Sequence, residues 1–158
     1  MRRLLAMAGV LLSMGLATGC VVDHEASPPP QEITREEARQ LIREVAAEAV
    51  REQFGALPEP QVEDESPCDY GRWGDDDRAY HMQGKWTLPL APEDHQETLR
   101  AVYRESGEPT ADYTQLGNGR FRVSARVQPG PISYTVESND PPTTVTLSVA
   151  SWCLLDVE

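Results

Sequence analysis

Apolar residues recur along this chain at three different spacings, and each predicts a different kind of element. Leu4 to Ala17 is a nearly continuous apolar run behind Arg2 and Arg3. Further on, Ala38, Leu41, Ile42, Val45, Ala46, Ala49 and Val50 recur at intervals of three and four, which places them on one face of a helix. Arg39, Arg43, Glu44, Glu48, Arg51 and Glu52 fall on the opposite face. Thr34 followed by Glu37 is a capping-box pair and Gly55 is a stop signal, so an amphipathic helix is expected within residues 32–55. Pro28-Pro29-Pro30 marks residues 20–31 as a stiff tether, because proline-rich segments favour an extended backbone. Pro58, Pro60, four acids and no apolar period mark residues 56–67 as a second linker.

From residue 68 to residue 158 the spacing changes to two. Tyr80, Met82, Trp86, Leu88 and Leu90 alternate with polar residues, as in a half-buried strand. Pro92, Leu99, Val102, Tyr103 and Gly107 outline a short helix. Residues Thr110–Leu116 and Phe121–Val127 flank Gly117-Asn118-Gly119, a hairpin signal. Ile132, Tyr134 and Val136 give another strand, and Val145, Leu147, Val149, Ser151 and Cys153 line one face of the last. The expected domain is α+β: an antiparallel sheet of four to five strands with one packed helix, ordered β-α-β-β-β-β, preceded by a separate amphipathic helix. That helix needs a partner for its stripe. It either docks on its own domain or, through residues such as Leu41 and Val45, meets a second copy or another protein's helix.

Composition narrows the function classes. With 26 acidic and 14 basic residues the formal net charge is −12, and no run of lysine and arginine offsets it, which excludes a nucleic-acid partner. The same charge would be repelled by an anionic membrane surface, so any membrane attachment must be covalent or hydrophobic.

The N-terminal run supplies such an attachment. A positive end followed by an apolar stretch and then small residues has the layout of an export signal. Leu16-Ala17-Thr18-Gly19-Cys20 resembles the lipobox of bacterial lipoproteins, with Ala17 where leucine is commonest. The resemblance implies cleavage after residue 19 and a lipid on Cys20. The alternatives are a plain secretory signal or an uncleaved anchor, and the glycines and threonine that dilute the segment favour the lipoprotein form. The expected location is the extracytoplasmic face of the cell membrane, where disulfides persist. With Cys20 acylated, Cys68 and Cys153 remain and permit one intramolecular disulfide; two buried free thiols or half of a metal site are the other readings. The wider layout, with Cys20, a charged helix, Pro67-Cys68-Asp69 and Ser151-Trp152-Cys153, resembles small envelope lipoproteins of high-GC Gram-positive bacteria, and carries no activity to transfer.

Candidate chemistry is sparse. Asp69 and Asp75-Asp76-Asp77 lack the alternating ligands and glycine of a calcium loop, and His24, His81 and His95 show no paired ligand spacing, so neither metal nor cofactor is expected. Ser148 and Ser151 sit in no nucleophile elbow, and nothing singles out a pair of carboxylates. An envelope hydrolase with a carboxylate or histidine site is therefore the second reading. The first is a non-catalytic interaction or ligand-binding module. Its contact surface would be Trp152, which has outward parity, with Arg120, Arg122 and Arg126, the positive stripe of an acidic protein. Partners on this reading are the membrane, through the lipid, and an envelope protein or a second copy.

Overall fold

The computed structural model describes residues 31–68 and 78–157. Cys20, His24, Asp69, Trp73 and Asp75 to Asp77 lie outside the described residues, and with them the lipobox and the aspartate run.

The described residues fold as α+β, with two helices packed on one face of a mostly antiparallel sheet. The described strands are β1 (Gln31–Glu32), β2 (Val62–Pro67), β3 (Ala79–Pro89), β4 (Asp112–Gln115), β5 (Phe121–Val127), β6 (Ile132–Ser138), β7 (Thr144–Ser151) and β8 (Leu154–Leu155). The helices are α1 (Arg35–Phe54) and α2 (His95–Glu105), the latter entered through a 3-10 turn over Pro92–Asp94. The expected series β-α-β-β-β-β corresponds to β3, α2, β4, β5, β6 and β7. Among the described residues the strand count is corrected from four or five to eight, because β1, β2 and β8 add to the sheet.

Helix α1 begins where the capping box predicts. Glu37 N–H donates to Thr34 Oγ1 at 3.3 Å, and Thr34 N–H donates to the Glu37 carboxylate at 3.1 Å. Those bonds from the Thr34 side chain and then its backbone hold the Glu37 carboxyl below its ordinary range. At the other end Gly55 adopts φ 68°, a left-handed conformation suited to glycine, and its N–H donates to Arg51 O.

The helix docks on the sheet of its own chain, one of the two arrangements expected for its stripe, so it is not the separate unit of the expected architecture. Ala38, Ile42, Ala46 and Val50, spaced every four residues, are fully buried against the sheet, while Leu41, Val45 and Ala49 are partly buried beside them. Fully burying a valine or isoleucine side chain is worth about 1.5–3 kcal/mol, so docking on the chain's own sheet satisfies the stripe without a second molecule.

The segment expected as a second linker holds β2, which pairs antiparallel with β3 from Val62↔Lys85 to Pro67↔Tyr80. Its alternation is one of charge. Glu63 receives Arg43 Nε at 2.9 Å, Glu65 receives Arg35 and Arg39, and Arg35 Nε also reaches Asp156 at 2.6 Å. Arginines at successive four-residue intervals on α1 thus meet glutamates at a two-residue interval on β2. Residues outside the apolar stripe are what order this edge strand.

Beneath α1, Trp86 and Gly84 are buried on β3, with the Trp86 indole N–H donating to Pro58 O at 3.0 Å. At the far end of the core His95 is fully buried. Its Nδ1 lies 2.8 Å from Ser138 Oγ and its Nε2 3.2 Å from Leu90 O. Ser138 Oγ also accepts Phe121 N–H at 3.1 Å, so the one hydroxyl proton goes to Nδ1 and His95 Nε2–H donates to the carbonyl. This chain of bonds ties α2 to β5 and β6.

The last strand carries one extra residue. Three steps along β3, from Gln83 to Tyr80, match four steps along its partner, from Ala150 to Leu154. Such a bulge reverses the facing of the residues beyond it. Leu154, not Cys153, stands opposite core-facing Tyr80. Cys153 therefore leaves the face shared by Val145, Leu147 and Val149, a correction to the expected parity, and joins His81 on the other side. There it is disulfide-bonded to Cys68, with Cα atoms 5.8 Å apart and 85 positions between them in sequence.

Candidate ligand-binding site

The same bulge makes a cleft. Up to Ser151 the sheet neighbour of β7 is β6; from Leu154 onward the neighbour of β8 on that side is β1, which runs parallel to it. Trp152 sits at the change of neighbour, and its N–H donates to Pro131 O at 2.6 Å. The opening between β6 and β1 is a cleft of about 360 Å³ lined by Trp152, Arg126, Gln31, Gln128 and the turn Pro129-Gly130-Pro131.

Trp152 and Arg126, singled out in the sequence as contact candidates, are brought together here. The Arg126 guanidinium carbon lies 4.0 Å from the centre of the Trp152 ring, within cation–π range. The backbone of Arg126 is fixed by Thr110, whose Oγ1 accepts its N–H and donates to its carbonyl, both at 3.0 Å. Among the described residues no carboxylate pairs with the Arg126 guanidinium. A guanidinium held against an indole keeps its N–H edge directed outward, where it can engage a planar anion in two parallel bonds.

Arg120 and Arg122 lie elsewhere. Arg122 Nε donates to Glu137 at 2.7 Å, and Arg120 donates to Glu137 at 3.2 Å and to Ser138 O at 3.1 Å, with Asp140 3.7 Å away. Both arginines are thereby neutralised across β5 and β6, so the positive stripe reduces to one unpaired guanidinium. Leu41 and Val45 stand on the opposite, helix-covered side of the sheet, partly buried against the core.

A second cleft, of about 200 Å³, lies between the C-terminal half of α1 and the end of α2. Glu48, Glu52, Glu105 and Glu108 surround it, with Val45 and Tyr134 among its walls. Burial pushes the Tyr134 hydroxyl above its ordinary range, and Ser106 partly offsets that. Arg51, paired with Glu48, also lines this cleft, so its rim is mixed with an excess of acid.

The hydrolase reading meets one Ser–His contact in the described core, His95 with Ser138. Both are fully buried, and the Ser138 oxygen already takes Phe121 N–H, so the pair is a structural bridge without access for substrate.

Residues Gln31, Gln128 and Pro129 had no sequence signal as site residues. Only the unusual pairing of β1 with β8 brings Gln31 to the cleft, and a two-residue strand has no readable period. No protein-family model matches the chain, and no curated protein and no solved structure is similar to it at a significant level.

Proposed function

We propose that this protein is a lipid-anchored module on the extracytoplasmic face of the cell membrane that binds an anionic ligand in the Trp152–Arg126 cleft. The observation that carries the binding role is the unpaired Arg126 guanidinium on the Trp152 ring, walled by prolines, in a protein of net charge −12. An isolated cation on an acidic surface selects a ligand that delivers its negative group at one point. The apolar prolines and the indole favour a carboxylate or phosphate flanked by apolar atoms.

Anchoring rests on the lipobox resemblance at Cys20. No described helix is long and apolar enough to cross a membrane. Gln31 lies eleven residues beyond Cys20, so the tether spans at most about 40 Å and keeps the cleft, which Gln31 lines, close to the bilayer.

The anchor is tested by Cys20→Ser, which is expected to abolish membrane retention. Sedimentation of the variant with membranes after a high-salt wash would instead indicate a spanning segment. Binding is tested by titrating the full chain with short peptides ending in a free carboxylate and with their amidated counterparts, following tryptophan fluorescence. Carboxylate peptides should bind more tightly, and Arg126→Gln should reduce the discrimination by about tenfold or more, the lower end of the worth of one charge-assisted hydrogen bond. Equal responses to both peptide forms, unchanged in Arg126→Gln, contradict the reading.

A further inference from the structure

On the face of the sheet opposite the helices, the bulge gathers three soft or borderline donor groups from distant parts of the chain. Cys68 follows β2, Cys153 lies between β7 and β8, and His81 is on β3. One ligand atom from each, the two Sγ atoms and a ring nitrogen of His81, all lie within 4.8 Å of one another. Tetrahedral Zn²⁺ with Zn–S of about 2.3 Å and Zn–N of about 2.0–2.1 Å requires ligand-to-ligand edges of about 3.5–3.8 Å. His81 Nε2 stands 3.8 Å from Cys153 Sγ, which matches one such edge, while the two sulfurs are bonded to each other and can take up that spacing only once the disulfide is broken.

The imidazole is also oriented as a ligand would be. Its Nδ1 lies 3.3 Å from Ser151 O, an acceptor only, so Nδ1 carries the proton and Nε2 presents its lone pair to the sulfur. A histidine that donates one ring N–H to a backbone carbonyl and so leaves the lone pair of the other nitrogen to bind is the arrangement of histidine ligands in metal sites. In the disulfide state that lone pair has no proton to accept from sulfur. The extra residue in the last strand is what turns Cys153 towards it.

We propose that Cys68, Cys153 and His81 form a redox-gated Zn²⁺ site, closed while the cysteines are joined and opened when they are reduced. A dithiol donor supplies two electrons and two protons: the S–S bond breaks, Cys68 and Cys153 become thiols, and the donor leaves as a disulfide. Zn²⁺ then displaces both thiol protons to solvent and bonds two thiolates and neutral His81 Nε2. Three protein ligands leave a fourth position for water, since Cys68 and His81 are only partly buried. The metal takes over from the disulfide the task of holding the end of β2 to the last strand. This site adjoins the Arg126 cleft, since Cys153 follows Trp152 in the chain, but the two share no lining residue and the metal does not require the cleft's ligand.

The test uses the full chain carrying Cys20→Ser, purified in detergent, reduced with a phosphine and titrated with Co²⁺ as a spectroscopic stand-in for Zn²⁺. The reduced chain should bind one Co²⁺ with a thiolate-to-metal charge-transfer band and tetrahedral visible bands, both erased by Zn²⁺; the oxidised chain should show neither. His81→Val, which puts a strand-favouring residue without a ring nitrogen at this position and should still form the disulfide, is expected to weaken binding at least tenfold, the lower end of what even outer-shell changes cost. If reduction unfolds the metal-free chain, Zn²⁺ should restore its circular dichroism. A reduced chain without the charge-transfer band, equal affinity in His81→Val, or an unfolded reduced chain that Zn²⁺ fails to restore overturns the proposal.

Discussion

Replacing Cys68 and Cys153 together with alanine is expected to lower the free energy of unfolding by about 4–5 kcal/mol, the chain-entropy value for a closed loop of this length. The bond joins residues 85 positions apart, so opening it releases most of the sheet and α2 in the denatured state. A loss of that size is a large fraction of the roughly 5–15 kcal/mol that small domains possess. Local effects should appear first where the bond supports little else. Strand β8 has two residues, and the N–H groups of Ile33 and Asp156 that bond to Leu155 O and Arg78 O hold its surroundings. Urea unfolding of Cys20→Ser chains with and without the double change measures the difference, and hydrogen exchange at those two amides measures the fraying. A midpoint shift worth under about 1 kcal/mol would mean that the denatured chain already keeps its ends together without the bond.

Gly84→Val is expected to cost about 3 kcal/mol, the upper end of the usual overpacking range. A Cβ at this position would lie 2.6 Å from the Trp86 ring and 3.0 Å from Ile42 Cγ2, so the side chain would be wedged between β3 and α1. Trp86 cannot easily yield, being fully buried and bonded through its indole N–H to Pro58 O. Gly84→Ala makes the sharper test because two effects oppose. Strand propensity alone favours alanine over glycine by about 0.5–1 kcal/mol, whereas the close contact adds a cost of about 1–3 kcal/mol. The net change should therefore be destabilising. Combining Gly84→Ala with Trp86→Phe should cost less than the sum of the two single changes, because the smaller ring vacates the space the methyl needs. Additivity of the pair in thermal or urea unfolding would remove Trp86 as the source of the strain.

Local chemistry was enough to place several elements. The Thr34–Glu37 capping box and Gly55 bounded α1 because both signals are carried by adjacent residues whose bonds close within one turn. The alternation in β3, β5, β6 and β7 was readable because one face of each is buried under helices, and Gly117-Asn118-Gly119 announced its hairpin through residues that tolerate positive φ, as Asn118 and Gly119 do. Trp152 was outward by parity, and Arg126 shared the polar face of β5 with Arg122.

Other features depend on contacts between residues far apart in sequence. Strand β2 has no apolar period; Glu63 and Glu65 become an alternating face only once α1 sets Arg35, Arg39 and Arg43 opposite them. Which arginine of the positive stripe stays unpaired depends on Glu137, supplied by a neighbouring strand. A bulge is a mismatch between two strands and has no signature in either alone. It takes Cys153 out of the core-facing row, brings His81 within 3.8 Å of its sulfur and opens the sheet beside Trp152. Local pattern thus decides which residues can form a strand or a helix, while register between strands decides which side chains meet, and both candidate sites of this protein are made by register.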